Sequence, residues 1–167
     1  MTEQAAATGS FAPVGCAVTV PYPRSGRSPC SPRATTAGGR TVTISGKQIL
    51  PTSCSSHAPG GRYYERGVDG SECDWGRVLA CDPPHRIVVS WQINANDETW
   101  FPDPDPAHAS EFEVTFTGQP DGQTRVEFEH RHFERHGAGG AGIHAGVSSS
   151  GGWATILDSY AKAAAAA

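Results

Sequence analysis

An α+β chain, an antiparallel sheet followed by a C-terminal helical region, is predicted by three features of the sequence. Residues 59–134 alternate apolar and polar side chains, so that every second residue faces the same way. Turn residues separate the alternating runs: Asp82-Pro83-Pro84-His85, Gly118 to Gly122, and an Asp69-Gly70 pair. From Trp153 the period changes, and Trp153, Ile156, Leu157, Tyr160 and Ala161 fall on one helical stripe. A chain of 167 residues is expected to be a single domain over 1–167.

The elements follow in order. Residues 11–22 hold a first strand, with alternation from Val14 to Val20. Residues 23–58 contain no aromatic and no acidic residue, and show no helical period. They read as an irregular segment, longer than the loops of compact domains. Arg62 to Arg66 and Trp75 to Cys81 are strands. Arg86 to Ile93 is another, with Ile87, Val89, Trp91 and Ile93 on one face. Asn94 to His108 is predicted as a polar loop carrying Trp100 and Phe101. Ser110 to Thr117 places Phe112, Val114 and Phe116 together. Thr124 to Phe133 places Val126, Phe128, His130 and His132 on one face and Arg125, Glu127, Glu129 and Arg131 on the other, as in a sheet with one wet side. The helical region is 138–165: a short Gly-burdened helix over Ala138 to Val147, a Ser/Gly break, then the amphipathic stripe.

Composition narrows the function. No stretch approaches the roughly 20 apolar residues of a membrane-spanning helix, and hydrophobic residues are only 37%. The N-terminus lacks the apolar core of a signal peptide, so the cytoplasm is expected. Five cysteines, an odd number with no close CxxC pair, argue against a disulfide framework and against structural zinc. A net charge of −4, with arginines scattered among acids, leaves no basic stripe for nucleic acid.

The block Gly60-Gly61-Arg62-Tyr63-Tyr64-Glu65-Arg66, followed by Trp75-Gly76-Arg77-Val78, Pro83-Pro84-His85-Arg86 and Ser90-Trp91-Gln92-Ile93, is distinctive. So are Ser110-Glu111-Phe112-Glu113-Val114, Val126 to Arg131, Phe133-Glu134-Arg135-His136-Gly137, and Gly152-Trp153 before Ile156-Leu157. Over residues 59–163 the chain resembles bacterial proteins similar to the C-terminal domain of the activator of Hsp90 ATPase, in the helix-grip superfamily shared with START and birch-pollen-allergen-like proteins. The resemblance implies a curved antiparallel sheet wrapped around a C-terminal helix, with an apolar cavity between them. It also implies two short helices after the first strand, introduced by a Pro-Glu-x-Ala-Phe-x-x-Phe pattern. Residues 23–58 contain no such pattern, so these helices are expected to be missing.

The segment also admits a second reading. Pro23 to Pro32 can be encoded CCC CGG AGC GGG CGT TCG CCG TGT TCA CCG, which read from the third base gives Pro-Glu-Arg-Ala-Phe-Ala-Val-Phe-Thr. In the same way Ala37 to Arg40 permits Trp-Trp-Pro, and Thr43 to Lys47 permits His-Ile-Gly-Lys. Residues 23–58 therefore read as an out-of-frame translation, with the frame restored before Gly60.

The candidate cavity residues are Tyr64, Trp75, Trp91, Phe112, Val114, Phe116, Phe128, His130, Trp153 and Leu157. Apolar walls with a few polar groups suit a small hydrophobic ligand, although each apolar residue serves equally as plain core. Tyr64 and Trp75 add a polar atom. His130 shares the face of Val126 and Phe128, where it can bond a ligand or act as a base near neutral pH; the plainer alternative is a satisfied buried histidine. His132, His136 and His144 are not expected to hold a metal, and no cofactor is expected. No paired nucleophile and base is recognisable around Asp69, Glu72 and Asp74, so no catalytic residue is assigned. The expected function is non-enzymatic binding of a small hydrophobic ligand or a protein partner, as monomer or homodimer. Alternatives are a cochaperone or stress-response module acting on an Hsp90-type ATPase, and a cyclase- or hydrolase-type enzyme using His130.

Overall fold

The computed structural model describes residues 10–21, 53–54, 58–66, 70–96 and 99–166. The irregular or out-of-frame segment, and with it the question of the two helices, lies outside the described residues except at 53–54 and 58.

Nine strands are described. β1 (Val14–Val20), β2 (Ser53–Cys54), β3 (Arg62–Arg66), β4 (Glu72–Asp82), β5 (Arg86–Trp91), β8 (Ser110–Gly118) and β9 (Thr124–Arg131) form one antiparallel sheet in the order β1-β9-β8-β5-β4-β3-β2. β6 (Ile93–Ala95) and β7 (Trp100–Pro102) pair separately as a small hairpin. Two α-helices follow, α1 (Gly140–Ser148) and α2 (Trp153–Ala165). The sheet is curved and packs against the C-terminal helix.

The alternation seen in the sequence sets which side is covered. Across β8 and β9, Phe112 faces His130, Val114 faces Phe128 and Phe116 faces Val126. β1 adds Cys16 opposite Phe128 and Val18 opposite Val126. One core cluster joins Trp75, Val89, Trp91, Phe112, Phe128, Phe133 and Trp153; a second, smaller one joins Val20, Val126 and Ala164 at the far end of α2. Burying each such side chain contributes on the order of 1.5–3 kcal/mol. Good helix formers carry α2, and Trp153, Leu157 and Ala164 face the sheet. Tyr160 departs from the predicted stripe, since its side chain is exposed. The outer face carries ion pairs: Arg131 bonds Glu111, Glu113 and Glu129, Arg86 bonds Glu113, and Arg125 pairs with Glu127.

Three expectations are corrected. The strand over Arg86 to Ile93 breaks at Gln92, and Ile93 starts the separate hairpin. Asn94 to His108 is not a plain polar loop. Described polar residues in and beside it bond within the chain: Gln92 Nε2 donates to the Pro104 carbonyl at 3.1 Å, Asn94 Nδ2 donates to Asp103 at 3.1 Å, and Thr99 N–H donates to Asn96 Oδ1 at 2.7 Å. Buried polar groups need such partners; these bonds brace the hairpin, and the Asp105 carboxylate caps a 3₁₀ turn at Pro106–His108 by accepting from the Ala107 N–H. Finally, β9 ends at Arg131, and His132 takes a left-handed conformation with φ of 68°. That turns the chain, so His132 leaves the core face and approaches Glu111 and Glu134, while Phe133 becomes fully buried.

The turn predicted at Asp69-Gly70 is described only at Gly70, whose φ is 83°. No helix among the described residues is long and apolar enough to cross a membrane.

Candidate functional site

A cavity of about 250 Å³ opens between one end of the sheet and the two helices. β4 contributes Cys73 and Trp75 to its wall. Trp91 ends β5, and Ile93 begins β6. The β6–β7 hairpin supplies Trp100, Phe101 and Pro102. Gly146 and Val147 come from α1, Gly151 and Gly152 from the link, and Trp153 and Ile156 from the first turn of α2. Among the described residues no charged side chain lines it.

Four tryptophans dominate this wall. The Trp91 ring stands edge-on to Trp75 (5.0 Å, 88°), to Trp153 (5.3 Å, 79°) and to Trp100 (6.3 Å, 90°). Perpendicular rings of this kind match positive edges to negative faces. Trp91 is 2% exposed, whereas Trp100 is 46% exposed. Trp100 reaches its place because α1 carries glycine at position 146, where a Cβ would strike the indole.

A buried polar chain runs behind the wall. Trp153 Nε1–H donates to His130 Nδ1 at 3.0 Å. His130 Nδ1 is therefore the acceptor, and a neutral ring carries its proton on Nε2. That nitrogen lies 2.7 Å from Ser110 Oγ, which in turn lies 2.6 Å from His136 Nε2. The consistent assignment has His130 donating to Ser110 and Ser110 donating to His136. It leaves the His136 proton on Nδ1, a buried atom without a partner among the described residues. Burial, helped by repulsion from His136 and His144, pushes His130 down to about 3. Burial likewise pushes His136 down to about 4. Both rings are neutral at pH 7. His130 thus has both nitrogens engaged and is a weak base.

The family described as "Activator of Hsp90 ATPase homolog 1-like protein" matches residues 50–165. The chain belongs to this family. The chain is similar to a solved anthrahydroquino-gamma-pyrone synthase, Txn09, at 31% identity over 92% of this chain and 97% of that one, with a TM-score of 0.57. A protein from Nitrosomonas europaea shares the fold at 13% identity, covering 90% of this chain and 92% of that one, with a TM-score of 0.56. The self-sacrificing resistance protein CalC from Micromonospora echinospora is 27% identical over 91% of this chain and 93% of that one, with a TM-score of 0.49. No curated protein matches.

For this member of the Hsp90-ATPase-activator-homologue family, the predicted site residues divide by position. Trp75, Trp91 and Trp153 wall the cavity. Phe112, Phe128 and His130 sit beneath it in the core, packed ring on ring, with Phe128 4.4 Å from Trp153. Val114 and Leu157 pack against both core clusters, and Phe116 lies in the distal one. Tyr64 is half-buried beneath the Arg62 guanidinium, 4.5 Å from its ring centre. A register shift between Tyr63 and Tyr64 gives the inward place to Tyr63, which meets Trp75 and Phe112.

Trp100, Phe101 and Pro102, together with Cys73, Ile93, Val147 and Ile156, were not among the sequence candidates. The adjacent aromatics Trp100-Phe101 inside a polar stretch were the available signal. No group of three or more His, Cys, Asp or Glu is placed to hold a metal among the described residues.

Proposed function

We propose that the chain binds a small hydrophobic ligand in the tryptophan-walled cavity, without chemistry of its own. The observation that carries this reading is a cavity of about 250 Å³ lined by four indoles and, among the described residues, no charged side chain. Concave aromatic walls with few polar atoms are the usual make-up of a small-molecule site. The uncharged fluorescent probe N-phenyl-1-naphthylamine tests it. Saturable binding is expected, and Ile156→Trp, which fills the cavity from the half-exposed face of α2, should abolish it. Probe binding that never saturates, or that Ile156→Trp leaves unchanged, sinks the reading.

A second reading, an enzyme built in the same cavity, is favoured by the likeness to a protein named as a synthase. His130 is a poor carrier for it, being closed off by Trp153 and Ser110. Cys73 brings a thiol to the wall. Conversion of a bound aromatic compound, lost in Cys73→Ala, would establish this alternative. A cochaperone role follows from the family's name alone, and stimulation of an Hsp90-type ATPase by the purified chain would establish it.

A further inference from the structure

Buried polar groups in folded proteins are almost always hydrogen-bonded, and one that is not calls for a partner. Among the described residues three buried side-chain nitrogens have none: Trp75 Nε1, Trp91 Nε1 and His136 Nδ1. Two of the three belong to side chains that wall the cavity. The contrast with Trp153 is direct. That indole stands in the same wall and gives its N–H to His130 at 3.0 Å. Trp75 and Trp91 are 9% and 2% exposed, so water at the surface does not serve them.

An indole N–H only donates, so what answers it must accept. Among the described residues no charged one lines the cavity, so none of these compensates a charged ligand for lost hydration. The described lining carries four indoles and the Phe101 ring, and aromatic walls of this kind suit a flat aromatic guest. We infer that the ligand is an uncharged planar aromatic carbonyl compound, a ketone or quinone, whose oxygen accepts from the Trp75 and Trp91 N–H groups. This rests on the cavity being the binding site, as proposed above. Neighbouring atoms cover both nitrogens, so a wall side chain has to move for the oxygen to reach them. Trp100, the most exposed of the four indoles, packs edge-on against Trp91 and is the one freest to move.

The test compares 9-fluorenone with fluorene, which keep the same ring frame and differ by the carbonyl. Titration calorimetry on the full chain should show the ketone binding about tenfold more tightly, the worth of roughly one neutral hydrogen bond. The infrared carbonyl stretch of bound fluorenone should move to lower wavenumber. Trp75→Phe and Trp91→Phe should each reduce the preference for the ketone, while Lys162→Ala, at an exposed position of α2 away from the cavity, keeps it. If both compounds saturate the site with equal affinity and the stretch is unshifted, carbonyl recognition is wrong and the cavity reading survives. If neither binds, the inference and the cavity reading fall together. The wild-type comparison and the infrared shift stand even where a Trp→Phe variant fails to fold.

Discussion

Mild acid should destabilise this chain through His130 and His136, before its carboxylates begin to matter. Both rings are buried, at 0% and 4% exposure, and both are held neutral, with folded values of about 3 and about 4. In the unfolded chain each returns to 6.5. The folded values are lowered, so between them and 6.5 the unfolded state binds more protons. Stability is therefore fully present above about pH 6.5 and is lost as pH falls. From pH 7 to pH 5 each ring costs about 2 kcal/mol, and the pair about 4 kcal/mol. Only the unfolded value enters this figure, since both folded values lie below pH 5. A domain of ordinary stability has about 5–15 kcal/mol in total, so the loss is large. Urea unfolding followed by tryptophan fluorescence at pH 7, 6 and 5 measures it. The double variant His130→Gln with His136→Gln should be less stable at pH 7 but nearly flat over the same range. A wild-type stability that stays constant from pH 7 to pH 5, or a double variant with the same slope, refutes the reasoning. Asp74, Asp103 and Glu113, held below the usual carboxylate range by Arg62, Asn94 and Arg86 respectively, add their own losses only at lower pH.

Ser110→Ala removes the hydroxyl that joins the two rings, leaving His130 Nε2 and His136 Nε2 buried with weakened pairing. A loss of about 1–3 kcal/mol is expected in urea unfolding for the orphaned His130 Nε2, while His136 Nε2 keeps the Ser110 backbone N–H at 3.4 Å. Gly146→Ala places a Cβ against the Trp100 indole; it should cost roughly 1–3 kcal/mol by overpacking and weaken N-phenyl-1-naphthylamine binding. Lys162→Ala breaks an exposed pair with Asp158 at 3.7 Å, and its unfolding midpoint should match the wild type, as such pairs contribute about 0–1 kcal/mol. Sequencing the coding DNA over residues 23–58 should reveal, in the shifted frame, the Pro-Glu-x-Ala-Phe-x-x-Phe helix pattern; codons that encode anything else there end the out-of-frame proposal.

Much of the sheet was legible because alternation is a local property. Val14 to Val20, Ser110 to Thr117 and Thr124 to Arg131 each announce one covered and one wet face, and two-residue spacing leaves little freedom about which residues lie together. His130 was legible on the same grounds. The cavity was less so. Trp75, Trp91 and Trp153 were visible as aromatics on apolar faces, but Trp100 and Phe101 sit in a stretch whose polar residues resemble a solvated loop. Gln92, Asn94 and Asp103 spend their hydrogen bonds on the chain itself, which no local pattern reveals.

By itself the sequence determined the antiparallel strands, the C-terminal helix and the faces they bury, because side-chain periodicity and turn chemistry act within a few residues. Only the tertiary structure decided that Tyr63 rather than Tyr64 turns inward, that His132 leaves the core while Phe133 enters it, and that a hairpin brings Trp100 over Trp91. It also decided that Trp153 has a partner for its N–H while Trp75 and Trp91 have none among the described residues. These outcomes depend on a register shift, one left-handed residue and contacts between distant strands. They are settled where backbones meet in space, beyond the reach of any local pattern.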